Sequence, residues 1–183
     1  MNPDKERVRR EVDEFFDDLQ GELLGFLLNM GLEPGDAEDV LNDSFLVILR
    51  CWPRIRDTNP RAFLYAVARN TVRKLMSTRR RRPESHTDDP AALANTAPAV
   101  IAVDFAQQIV DRQTMRWALQ KLSEREREAV LLRYYIGYSL AETAQIMGVT
   151  TGTVKGHAAA GLKKLGRALG GGDSATGRKE GTR

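Results

Sequence analysis

The chain has 183 residues, 42 % of them hydrophobic, with 28 basic residues against 25 acidic ones and a formal net charge of +3. That length holds one medium domain or two small ones, and a single cysteine, Cys51, excludes an internal disulfide and fits a reducing cytoplasm. The charged stretch from Asp4 to Arg10 is no secretory signal, and no apolar run reaches membrane-spanning length, so neither export nor membrane insertion is expected.

The first element is helical by periodicity. Val8, Val12, Phe15, Leu19, Leu23, Leu27 and Met30 recur at steps of three and four. Gly21 and Gly25 predict a bend or a split, and Gly31 with Pro34 predicts a stop. A second helix is expected from about Asp36 to Cys51, with Val40, Leu41, Ser44, Phe45, Ile48 and Leu49 inward and Trp52-Pro53 ending it. Asp36, Asp39, Asn42 and Asp43 lie near its start, where carboxylates suit the helix dipole. Residues 54–59 read as a loop. Pro60 opens a third helix, to about Arg80, with Phe63, Leu64, Val67, Ala68, Thr71 and Leu75 inward and Arg69, Arg73 and Lys74 pointing elsewhere.

Residues 83–103 are rich in Ala, Pro, Thr and Asp and read as a flexible linker. A second domain is expected over 104–169. Phe105, Ile109, Met115, Leu119 and Leu122 form its first stripe, and Ser123-x-x-Glu126 and Ser139-x-x-Glu142 are two capping boxes. The tail, 170–183, is glycine-rich and polar, a composition that predicts disorder. No segment alternates with the two-residue period of a strand. The expected fold is therefore all-α: two small helical domains joined by a flexible linker.

Three patterns carry function. Ala144, Gly148 and Val154 have the order of a helix-turn-helix: a small residue at the crossing, a glycine in the turn, an apolar anchor in the second helix. Its second helix offers Thr151, Thr153, Lys155 and His157 near the N-terminus, where such helices meet the major groove. The third helix carries Arg61, Arg69, Arg73, Lys74 and the run from Arg79 to Arg82 with no acid between them, which points to a polyanion. Trp52, Phe63 and Tyr65 are aromatic candidates for stacking on unpaired bases, with a core role the stronger reading for Phe63. The acidic turn Asp36-Ala37-Glu38-Asp39 suits a basic protein partner. His86 and His157 have no ligand spacing around them, so no metal, cofactor or catalytic set is expected.

Residues 36–45 (Asp36-Ala37-Glu38-Asp39-Val40-Leu41-Asn42-Asp43-Ser44-Phe45) and 60–70 (Pro60-Arg61-Ala62-Phe63-Leu64-Tyr65-Ala66-Val67-Ala68-Arg69-Asn70) resemble the first domain of extracytoplasmic-function (ECF) sigma factors of RNA polymerase. Leu122-Ser123-Glu124-Arg125-Glu126-Arg127, Leu132-Arg133-Tyr134-Tyr135 and the segment Gly148 to Lys155 resemble their second domain. The resemblance spans about residues 8–169 apart from the linker.

It implies a non-enzymatic bacterial cytoplasmic protein that binds core RNA polymerase, recognises promoter DNA and promotes initiation. The domain over 1–82 would dock and melt, with Asp36, Asp39, Asn42 and Asp43 on the clamp helices of the beta-prime subunit. Arg54, Arg56, Asp57, Thr58, Asn59, Arg69, Asn70, Arg73 and Lys74 would engage the minus-ten element, where a non-template base leaves the stack for a protein pocket. The second domain would read the minus-thirty-five element through Thr151, Thr153, Lys155, His157, Lys163 and Lys164. The linker would thread into the polymerase, its beta subunit being the further contact, and many relatives are held by an anti-sigma factor. Two departures stand out: Asn42 where glutamine is common, and Gly156, His157 and Ala158-Ala159-Ala160 where arginines often follow Thr-Val-Lys. The alternative is a LuxR-type regulator, whose DNA-binding domain shares Leu122 to Glu126 and Gly152 to His157, but residues 1–82 show none of the strands of a sensing domain. A nucleic-acid enzyme and a nonspecific nucleoid protein fit less well.

Overall fold

The computed structural model describes residues 3–81 and 112–170, which fall into two units. The expected linker, the stripe residues Phe105 and Ile109, His86 and the tail beyond residue 170 lie outside the described residues. Every described regular element is helical, as the periodicities predict.

The first unit has three helices: α1 (Pro3–Asn29), α2 (Pro34–Ile55) and α3 (Pro60–Arg81). Glycines 21 and 25 do not split α1, which runs on without interruption. Their propensity cost of about 1 kcal/mol each is outweighed by packing, because Leu23, Phe26 and Leu27 are all fully buried around them. Gly31 closes α1 as expected. Its φ of 97° lets the Leu32 N–H turn back onto the Leu27 carbonyl at 3.3 Å. Pro34, expected as part of that stop, instead opens α2 in the first turn, where a missing N–H costs nothing.

Pro53 does not end α2 either. The helix continues to Ile55 because Trp52 and Ile55 are both buried on its inner side. The indole Nε1 of Trp52 donates to Glu11 Oε2 on α1 at 2.7 Å. Phe15 stacks obliquely on Trp52 at 5.1 Å, and Phe16 meets Phe45 edge-on at 4.4 Å. The start of α1 therefore lies along the end of α2, antiparallel. Each such ring pair contributes about 0.5–1.5 kcal/mol beyond area burial.

Helix α3 is rotated relative to expectation. Leu64, Tyr65, Ala68, Arg69 and Val72 face inward, whereas Phe63 and Val67 are only partly covered. Tyr65 is fully buried, edge-on to Phe26 at 5.2 Å, and its hydroxyl donates to Glu22 Oε1 at 2.6 Å. The same Glu22 receives Arg61 Nη2 on both oxygens at 2.7 Å. One α1 carboxylate thus fixes two turns of α3.

The second unit comprises α4 (Arg112–Gln120), α5 (Glu124–Val130) running into a π-helical turn (Leu131–Tyr135), α6 (Leu140–Met147) and α7 (Thr151–Gly170). Both capping boxes form. Ser123 and Ser139 accept from the amides of Glu126 and Glu142, and those side chains return to the serine amides at 2.9 Å. Leu119 and Leu122 are buried as expected, but Met115 is 36 % exposed, beside an exposed Trp117 that Lys121 covers at 4.7 Å.

Glycine 161 sits where α7 crosses α5. A Cβ there would meet Val130 Cγ2 at 2.7 Å and the Glu126 carbonyl at 3.2 Å. Gly156, one and a half turns earlier on the same helix, has open space around it. Gly161→Ala is therefore expected to destabilise the second unit by about 1–3 kcal/mol. Gly156→Ala should stabilise it by up to about 1 kcal/mol through helix propensity. Thermal melts of the two full-length variants check this: opposite shifts in Tm are expected, and equal shifts would refute the close crossing.

Glu126 also receives Lys164 Nζ of α7 on both oxygens, at 2.7 and 2.8 Å. That bond is the main reason its carboxyl is held below the ordinary value of 4.5; burial opposes it, and Ser123 and the lysine charge reinforce it. A depressed folded-state pKa gives stability that is present above the unfolded value and lost as pH falls through the folded one. The second unit should thus lose Tm as pH drops below about 4.5, and Lys164→Met should flatten that dependence. Parallel pH–Tm curves for the two proteins would contradict it.

Candidate nucleic-acid and polymerase interfaces

The outward face of α2 is built by helical spacing. Asn42 and Asp43 stand three and four residues after Asp39, Leu46 and Leu49 continue the same face, and all five are exposed, Leu46 to 51 % and Leu49 to 41 %. The three polar members make no hydrogen bond or ion pair with any described residue. Asn42, Leu46 and Leu49 also border a shallow groove against Val8, Val12 and Phe16 of α1, with Asp13 beside it. Acids flanking an uncovered apolar strip are the chemistry of a surface for a basic, amphipathic protein element. Asp36 stands apart from this set. Both its oxygens are within 2.7 Å of Arg79 Nη2, so it ties the start of α2 to the end of α3.

That pair, with Arg61–Glu22, changes the picture of the basic block. The sequence shows no acids among these arginines, yet α1 and α2 bring acids to them across the fold. Arg69 is a further correction. It is 4 % exposed and its Nη1 donates to Asn70 Oδ1 at 3.1 Å, so it does not present its charge to solvent. The register already held this signal, since positions 65, 68, 69 and 72 make one three-four stripe. Asn70, Arg73 and Lys74 do share an exposed stripe, and the two cations are without ion pairs among the described residues.

The stretch 54–59 is less of a loop than expected, because Arg54 and Ile55 complete α2. Arg54 is exposed, with Nη2 3.6 Å from Cys51 Sγ. Arg56 turns inward, 3.6 Å from Glu11 and 3.5 Å from Asp57. Thr58 donates its hydroxyl to the Ile55 carbonyl at 2.7 Å, and Asn59 caps α3 by accepting the Ala62 N–H at 2.9 Å. Asp57, with 86 % of its side chain accessible, is the most open group here. Trp52 and Tyr65 are both buried and cannot stack on bases, whereas Phe63 is partly exposed, the reverse of what the sequence suggests. From Asn59 to Arg73 the helical rise is about 21 Å, so the turn stands at the start of α3 and the cationic stripe begins near its middle.

In the second unit the helix-turn-helix has its expected parts. Gly148 adopts φ 63°, ψ 41°, closing α6, and the Val149 N–H reaches the Ala144 carbonyl at 3.0 Å. Val154 is fully buried and Ala144 nearly so. Thr150, to which no cap was assigned from the sequence, caps α7: its Oγ1 accepts the Thr153 N–H at 3.2 Å and lies 2.9 Å from the Thr153 hydroxyl. Thr151, Lys155 and Lys163 are exposed. His157, half-buried, lies about 200° round the helix from Lys155, so the two do not share a face. Lys164, 45 % accessible, is paired with Glu126, as described above. Between the flanks, Gly152, Gly156, Ala159 and Ala160 leave the outer ridge almost bare of side chains.

No described helix is long and apolar enough to cross a membrane, and no metal-ligating cluster occurs among the described residues. The family model for sigma-70 region 2 matches residues 15–82, and that for sigma-70 region 4 matches residues 112–165. The chain is 32 % identical to RNA polymerase sigma factor CarQ of Myxococcus xanthus over 90 % of its own length and 95 % of the relative's. It is 31 % identical to ECF RNA polymerase sigma factor SigL of Mycobacterium tuberculosis over 76 % and 78 %. In fold it is similar to the sigma factor RpoE of Bartonella quintana, solved with the anti-sigma factor NepR (TM-score 0.67, 24 % identity, 86 % of this chain and 97 % of that one). It is also similar to CnrH, solved with the cytosolic domain of CnrY (TM-score 0.63, 21 % identity, 91 % of each chain). A LuxR-type regulator would leave the region 2 match without a role, and the two regions in this order settle the choice. The chain belongs to the sigma-70 family of RNA polymerase sigma factors, in its ECF group, and serves promoter recognition and the initiation of transcription.

Proposed function

We propose the following division of labour within this sigma factor. The first unit docks on core RNA polymerase through the α2 face of Asp39, Asn42 and Asp43 with Leu46 and Leu49. The clamp helices of the beta-prime subunit are the partner of suitable chemistry. The observation that carries this reading is the pairing of unpartnered acids with exposed leucines on one face. Charges at such a rim steer and orient, while the leucines bury area. Asp36 contributes indirectly, by fixing the start of α2.

The turn at residues 56–59 with Arg54, and the stripe of Asn70, Arg73 and Lys74, engage the minus-ten element. Asp57 and Thr58 meet a base that has left the stack, a reading supported by the 86 % accessibility of the Asp57 side chain, and Arg73 with Lys74 neutralise phosphates along the opened strand. The second unit reads the minus-thirty-five duplex with α7, through Thr151, Lys155 and Lys163, while Thr153 serves chiefly the cap. His157 approaches DNA only from the flank of the helix. The protein works in the bacterial cytoplasm as a recognition subunit, without a reaction of its own. Two similar folds were solved with partners, one of them an anti-sigma factor. This supports an anti-sigma factor as a second ligand here, competing for the same α2 face.

Asp39→Arg is expected to weaken binding to core polymerase at least tenfold, about 1.4 kcal/mol, with Tm unchanged because Asp39 has no internal partner. Asp36→Asn should lower Tm more than it lowers polymerase affinity. Fluorescence titration of labelled protein with core enzyme, beside thermal melts, separates the two. An Asp39→Arg protein that binds and initiates normally would reassign the face.

Replacing Arg73 and Lys74 together by glutamine should flatten the salt dependence of holoenzyme binding to a pre-melted promoter. The slope of log K against log salt should fall by about 1.4, from about 0.7 per lost single-strand contact. An unchanged slope would take both residues off the DNA path.

A further inference from the structure

We propose that Glu11 of α1 is a positioning residue for base recognition: it anchors the turn at residues 56–59 through Trp52 and Arg56 and so aims Asp57 and Thr58 at the displaced base. The inference rests on the reading of that turn as the minus-ten reader and adds to it a residue outside the promoter-binding set. The geometry is specific. Glu11 Oε2 accepts the Trp52 indole N–H at 2.7 Å and stands 3.6 Å from Arg56 Nη1, while Arg7 approaches its other oxygen at 3.7 Å.

The remaining bonds of the turn are local. The Arg56 N–H reaches the Trp52 carbonyl at 3.0 Å, the Thr58 N–H and hydroxyl reach the Ile55 carbonyl, and Asn59 caps α3. These define the shape of the turn but not where it stands against α1. Glu11 supplies the polar part of that reference beside the Phe15–Trp52 ring contact, gripping one buried ring before the turn and one guanidinium at its first residue. It also shares Arg56 with Asp57, which stands 3.5 Å from Arg56 Nε, and so holds the guanidinium against α1. A reader misplaced by an ångström loses much of its selectivity.

The test uses holoenzyme assembled from the full chain and core polymerase, and a randomised single-stranded non-template library from which bound sequences are selected. The Asp57→Ala/Thr58→Ala double variant is the reference. Glu11→Leu, which removes both anchors, should reduce the preference for the favoured base roughly five- to tenfold with core-polymerase affinity unchanged. Glu11→Gln keeps an acceptor for Trp52 and should retain most of that preference. Arg56→Gln should add no further loss in the Glu11→Leu background. Intact base preference in Glu11→Leu overturns the inference. So does an equal fall of preference and polymerase affinity in both Glu11 variants, which would mark a merely structural role. If the reference variant flattens the preference and Glu11→Leu does not, only the positioning role falls. If the reference variant has no effect, the turn is not the reader and both readings fall together.

Discussion

A carboxylate leaves water only where donors replace its hydration, and this constraint organises both units of the protein. Glu22 brings α1 against α3 by accepting from Arg61 and Tyr65 together, and the buried tyrosine ring then sets how α3 is rotated. Glu126 does the equivalent in the second unit, capping α5 with one hand and holding α7 through Lys164 with the other. With α3 turned by that bond, Arg69 falls inside while Arg73 and Lys74 fall outside. The exposed cationic stripe is therefore a consequence of an internal ion pair and not of the arginine count.

The same logic divides the charged residues into two populations. Arg56, Arg61, Arg79 and Lys164 face acids delivered from elsewhere in their own unit, within distances of 2.6 to 3.6 Å. Arg73, Lys74, Lys155 and Lys163 have no such acid among the described residues, as Asp39 and Asp43 have no such base. Pairing Arg61 with Glu22 and Arg79 with Asp36 within the unit keeps the acidic face of α2 distinct from the cationic stripe of α3.

Much of the architecture was legible from local rules. The capping boxes at Ser123 and Ser139, the glycine turn at Gly148 and the anchor Val154 all depend on residues within a few positions of one another, and these stand as the sequence implies. What was not legible depends on long-range partners. The continuity of α1 through its glycines and the extension of α2 past Pro53 follow from burial against other helices, which no local propensity reports. The exchange of roles between Phe63 and Tyr65 follows from Glu22, 43 residues before the tyrosine. Arg69 is the instructive exception, because its place in the apolar register announced burial and its charge alone argued for exposure.

The bare ridge of α7 carries an entropic signature. Gly152, Gly156, Ala159 and Ala160 have no rotamers to lose, so a partner packed on this ridge would immobilise little beyond the exposed Lys155 and Lys163 side chains. Long arginines at the same positions would bring more charge and also more freedom to surrender on contact. The glycines move that entropic burden from the encounter to the folding of the helix itself, where each raises the cost by up to about 1 kcal/mol. A surface of this kind admits close approach to the helix backbone, so the fit of shapes weighs more in any contact it makes than the reach of long side chains.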